Sequence, residues 1–161
     1  MDIPIVEQVK IQAQVLVPLV KTLRAELGEE RANALVRNAL ADMYRALGER
    51  WWRGQGGRDL GEAAASAFDR FAGGGALDYG VLSKTPDGFD VNVTGCRYAS
   101  FYQKIGAPEL GFLLVCSADF SMAEGLGRDV QLTRTQTIMQ GASHCDFRYV
   151  LRRRRDRSER E

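Results

Sequence analysis

The sequence predicts an α+β fold: a helical N-terminal half, then a ββαββ antiparallel sheet packed against helices. Three observations carry this. Residues 3–72 place apolar side chains at helical spacing. The glycine-rich "AGGGA" at 72–76 then ends that period. Beyond it, two pairs of β-rich runs, each folded around a turn, flank one apolar helical stretch.

The first helix is read over "IVEQVKIQAQVLVPLVKTLRAEL". Its apolar positions are Val9, Ile11, Val15, Leu16, Leu19, Val20 and Leu23. Pro18 predicts a kink or a division into two shorter helices, because it removes a donor and its ring crowds the preceding turn. Gly28 ends the segment. "EERANALVRNALADMYRAL" is a second amphipathic helix, with Ala34, Leu35, Leu40, Met43, Tyr44 and Leu47 on its buried side and a stop at Gly48. "WWRGQGG" is read as a loop. Asp59 caps a third helix that runs to about Phe71.

"LDYGVLSK" and "FDVNVTG" form a hairpin around "TPDG". Gly95 allows a bulge that would re-aim Cys96. "APELGFLLVCSADFSMAEGL" is a helix with Pro108 in its first turn. "VQLTRTQTIMQG" and "HCDFRYVLR" form the second hairpin, turning at Gly141-Ala142-Ser143.

A chain of 161 residues suits one core, so 1–151 is read as a single domain: a helical part at 1–73, and a sheet and helix part at 74–151. Residues 152–161 are a charged, solvated tail. The 22 Lys and Arg nearly balance the 21 Asp and Glu, so no overall field draws the chain to nucleic acid or an anionic membrane. No apolar run reaches the ~18 residues that span a bilayer, and "MDIPIVEQVK" lacks the order of a secretory signal. A cytoplasmic setting follows, in which all three cysteines are thiols.

Cys116 and Asp119 stand three apart, on one face of the predicted helix. The carboxylate can orient the thiol or take a proton, but its charge raises the thiol pKa, so activation needs a positive partner. Arg134 sits among aliphatics on a strand and suits a forked clamp on a carboxylate. Its alternative is a solvated face with the threonines inward. His144 and Cys145 are adjacent, and on a strand they point to opposite faces, so His144 is a poor base for Cys145. Cys145 shares an apolar face with Phe147, Tyr149 and Leu151, where a buried cysteine is also a small hydrophobe. Cys96, Cys116 and Cys145 lack CxxC spacing, which argues against a metal. No phosphate loop, dinucleotide fingerprint or metalloprotease motif is present, so no cofactor is expected.

"GCRYASFYQKIGAPELGFLLVCSADF" followed by "RTQTIMQGASHCDFRY" resembles the L-2-amino-thiazoline-4-carboxylic acid hydrolase family. A cysteine opens the segment, Gly-Ala-Pro-Glu-Leu leads into a helix with C-x-x-D, and an Arg-Thr strand leads to Gly-x-x-x-Cys-Asp-Phe. The resemblance implies a hydrolase that adds water to a small cyclic amidine. It places catalysis at Cys116, Asp119, Cys145 and Cys96, with His144 beside them. Arg134, Thr135 and Gln136 then bind a substrate that carries a carboxylate. Covalent attack by a thiolate and direct activation of water by Asp119 are both open.

Two other readings compete. A non-catalytic small-molecule-binding domain of the 4-vinyl-reductase type has a similar layout, and would bind a large apolar ligand without turnover. In a scaffold protein, Trp51 and Trp52 would anchor an interface, unless they are core residues at a helix end. A homo-oligomer joined through the N-terminal helices fits enzyme and scaffold alike.

Overall fold

The computed structural model describes residues 2–152. From residue 153 on, the charged tail read from the sequence lies outside the described residues.

Three helices lead: α1 (Ile5–Leu27), α2 (Glu29–Gly54) and α3 (Leu60–Ala72). α1 is a single helix across Pro18, where a kink or division was expected. Its apolar residues fall on two sides. Val6, Val9, Ala13 and Val20 are buried, while Ile11, Val15 and Leu19 are half exposed or more. Periodicity marks an apolar stripe but does not say which stripe meets a neighbour. Gly28 alone joins α1 to α2, at a φ of 81° that favours glycine.

α2 departs most from expectation. It runs through Gly48 to Gly54, so Trp51 and Trp52 are helical, not in a loop. Leu35 and Met43, read as buried, are 49% and 54% exposed. Gly48 is no stop signal but a contact: a Cβ there would lie 2.2 Å from the Met122 carbonyl oxygen. The facing Gly125 is as tight, its Cβ 2.1 Å from the Arg45 carbonyl oxygen. Two glycines thus let two backbones touch. α3 starts as predicted, with Asp59 Oδ1 accepting from Glu62 N at 2.9 Å.

The sheet is antiparallel with order β1-β2-β4-β3, from β1 (Leu77–Thr85), β2 (Gly88–Cys96), β3 (Val130–Thr133) and β4 (Cys145–Leu151). The first hairpin turns at Pro86-Asp87, since Thr85 pairs with Gly88. Its register skips Thr94 beside Gly95, the bulge the glycine allowed. Between the hairpins lie α4 (Arg97–Lys104), α5 (Pro108–Gly111), a π-helical turn (Phe112–Cys116) and α6 (Ala118–Gly125). The sequence reading missed α4 and took the rest as one helix. The π turn closes where Ser117 N donates to Phe112 O at 2.8 Å, five residues back.

Two buried clusters result. One joins the sheet's inner face to α3 and α6, around Phe68. That ring lies 5.1–5.7 Å from those of Tyr79, Phe89 and Phe147, so its loss to alanine would cost about 3–5 kcal/mol. The other joins α1 to α4, α5 and the π turn, around Val6, Tyr102 and Leu110.

Candidate functional site

A cavity of about 90 Å³ lies where the two clusters meet. Its wall is mostly apolar, with Phe68 and Val93 from one cluster and Val9 and Tyr98 from the other. Five residues singled out from the sequence line it: Cys96, Cys116, Asp119, Arg134 and Cys145. His144, Thr135 and Gln136 are not among its lining residues.

The local structure explains the convergence. Cys116 ends the π turn and Asp119 sits in the first turn of α6, so the pair shares a face as the spacing required. β3 stops at Thr133, shorter than predicted, and Arg134 leaves the sheet toward the cavity. Its side chain is 3% exposed. Nη1 donates to Asp119 Oδ2 and, at 3.0 Å, to the Cys116 carbonyl oxygen. Three rings surround the guanidinium, with Phe120, Phe147 and Phe112 centred 4.9, 5.4 and 5.9 Å from Cζ. A buried cation is tolerable only with such a partner and such faces.

Asp146 ends the strand early. Continued pairing would set Thr135 opposite Asp146. Instead its carboxylate accepts from Thr135 N at 2.9 Å, Gln136 N at 3.0 Å and the Thr135 hydroxyl. Burial pushes this carboxyl up, but those hydrogen bonds hold it below the usual range. Asp146 therefore positions the segment that carries Arg134, a role the sequence reading missed. Gln136 Nε2 donates to the His144 carbonyl oxygen at 3.0 Å, and the His144 ring meets the Ser143 hydroxyl at 2.9 Å. The histidine contacts Gln136 and Ser143 and is not among the residues that line the cavity.

Electrostatics divides the carboxylate from the thiols. Burial raises Asp119 from 3.8 to about 6, against the opposing pull of Arg134. Burial also pushes Cys96 up to about 11. Cys116 goes well above its ordinary range through burial and then Asp119, with Arg134 opposing. Burial raises Cys145 too. All three are free thiols. Two are engaged as acceptors: Cys96 Sγ from Ala99 N at 3.4 Å, capping α4, and Cys145 Sγ from Ile138 N at 3.2 Å. Among the described residues no group of three or more His, Cys, Asp or Glu is placed to hold a metal ion. Nor is any helix there long and apolar enough to cross a membrane.

Residues 8–149 match the family model of L-2-amino-thiazoline-4-carboxylic acid hydrolase. The chain belongs to that family. The match takes in every residue that lines the cavity, including the five singled out from the sequence. No curated protein matches the chain. Among solved structures, the chain resembles the phenol-responsive sensory domain of the transcription activator PoxR, solved with phenol. The likeness has a TM-score of 0.51 and 12% identity, over 89% of this chain and 77% of that one. At that identity the likeness is one of fold. This hydrolase-family chain thus shares its architecture with a domain that senses a small ring.

Two further cavity residues escaped the sequence reading. Tyr44 comes from α2 and Tyr149 from β4. Each looked like an ordinary apolar-face tyrosine, and no local signal set them apart.

Proposed function

We propose that the protein is a hydrolase that opens a small ring inside this cavity, with Asp119 handling the protons and the cysteines forming wall. The observation that carries this is the contrast in ionisation. Asp119, at about 6, is mostly ionised at neutral pH and still basic enough to take a proton. Cys96, at about 11, is thiolate in only about one molecule in ten thousand at pH 7. The other two thiols are raised as well, and thiols do not attack as nucleophiles.

For a 2-amino-thiazoline ring the steps balance as follows. Asp119 takes one proton from water while its oxygen bonds to the carbon between nitrogen and sulfur. The ring nitrogen, receiving the electron pair of its double bond, takes up that proton. The carbon–sulfur bond then breaks with its electrons on sulfur. The hydroxyl proton passes to sulfur as the carbonyl forms. Arg134 keeps Asp119 aimed, and its remaining donors take the substrate carboxylate.

Turnover of 2-amino-thiazoline-4-carboxylate by single variants tests the reading. Asp119→Asn is expected to lower kcat about 100-fold or more. Cys96→Ala, Cys116→Ala and Cys145→Ala are expected to stay within about tenfold. One cysteine variant that folds yet has no turnover would restore covalent catalysis.

The apolar wall and the shared fold with a phenol-responsive domain favour a second reading, ligand binding without chemistry. It gains if the folded wild-type protein binds ring compounds and hydrolyses none.

A further inference from the structure

The polar groups lining the cavity divide into engaged and open. The Tyr98 hydroxyl donates to the Phe71 carbonyl oxygen at 2.8 Å. Thr137 Oγ1 exchanges hydrogen bonds with Gln140, at 3.0 and 3.2 Å. Arg134 Nη1 is held by Asp119 and the Cys116 carbonyl. Two thiols accept backbone donors, as described above.

The hydroxyls of Tyr44 and Tyr149 make no hydrogen bond among the described residues, nor does Asp119 Oδ1. Yet no fully buried side-chain nitrogen or oxygen there lacks a partner. Tyr149 is 5% exposed and lines the cavity. Its hydroxyl must therefore open on the void, because a sealed, unpaired hydroxyl would be costly. Asp119 Oδ1 is open by the same reasoning. Tyr44 faces the same space from α2. All three residues line the one cavity.

We infer that Tyr44 and Tyr149, with the free oxygen of Asp119, form one polar edge that reads a ring ligand, the rest of which meets apolar wall. The phenol hydroxyls donate to an acceptor on the ligand, and Asp119 Oδ1 accepts from a donor beside it. The ligand is therefore a single flat ring with acceptor and donor on one side. At about 90 Å³ the cavity is on the scale of a small ring compound. This rests on the cavity being the ligand site and not on what chemistry follows. Both tyrosines are ligand-binding residues here, outside the proton-handling step.

Thiophene and thiazole test it, being nearly the same shape and differing by one ring acceptor. Calorimetry gives the ratio of their affinities for the wild type, Tyr44→Phe and Tyr149→Phe. Loss of the hydroxyl is expected to cut thiazole's affinity relative to thiophene about tenfold in at least one variant. Thiophene's own affinity should stay within about twofold, which certifies an intact cavity. If thiophene binds alike in all three proteins and the ratio moves less than twofold in both variants, the polar edge is wrong. If thiophene does not bind the wild type, the cavity is not a ring site and the inference also falls. Neither readout involves turnover, so a failed hydrolase assay leaves this result standing, and the reverse holds too.

Discussion

Helices α2 and α6 take part in two opposite features, a tight crossing and an open cavity. At Gly48 and Gly125 their backbones touch so closely that a single methyl would lie 2.1–2.2 Å from a carbonyl oxygen. One turn earlier on α2 and six residues earlier on α6, Tyr44 and Asp119 face the cavity. The same two helices thus supply a closed crossing and part of a cavity wall. The contrast explains how a void survives in a close-packed domain. The glycine crossing fixes how closely the two helices approach, and at the open end bulky side chains from several elements wall the cavity.

The comparison can be broken first at the crossing. Gly48→Ala should destabilise the protein by about 3 kcal/mol or more, because two backbones must move apart. Urea denaturation measures it, and a loss below about 1 kcal/mol would mean the crossing pins nothing. Next comes pH. The folded-state pKa of Asp119 is raised, so its contribution to stability is whole below pH 3.8 and is lost as pH climbs through about 6. The difference in stability between wild type and Asp119→Asn should thus move against the wild type by about 3 kcal/mol over that window. Catalysis runs the other way: kcat/KM should rise as pH climbs through about 6, since the ionised carboxylate is the base.

Smaller effects sharpen the open end. Ala67 lines the cavity, so Ala67→Leu adds carbon to space already there. Its stability should stay within about 1 kcal/mol of wild type while thiophene binding disappears. Three extra carbons at Ala67 would then cost less than one at Gly48. Gly54→Ala is the control, since nothing lies within 4 Å of its added methyl. It should stabilise the end of α2 by about 0.5 kcal/mol, read as a small rise in Tm.

Much of this was legible because it is local. Helical spacing put Cys116 and Asp119 on one face, and they share one cavity wall. Alternation in "CDFRY" put Cys145, Phe147 and Tyr149 inside, and all three are buried. The cap at Asp59 and the turn at Pro86-Asp87 are short-range hydrogen-bond and dihedral preferences. Gly48 misled for a physical reason. A glycine within a helix reads as a stop until one knows that another backbone lies against it. The early end of β3 was equally hidden, since it depends on Asp146, eleven residues on, capturing the amides of Thr135 and Gln136. Likewise α4 is capped by a cysteine sulfur, a weak acceptor that no capping rule would select.

By itself the sequence determined the α+β class, the order of most elements, and the set of sulfur, carboxylate and guanidinium groups to watch. Periodicity and turn chemistry act within a few residues and are written in the chain. Only the tertiary structure decided which apolar stripe of α1 is covered, that Gly48 is a contact, and that Tyr44 and Tyr149 line the same cavity as Asp119. Those facts depend on what stands opposite each residue, and burial, spacing and pKa are properties of neighbours the chain brings from far away.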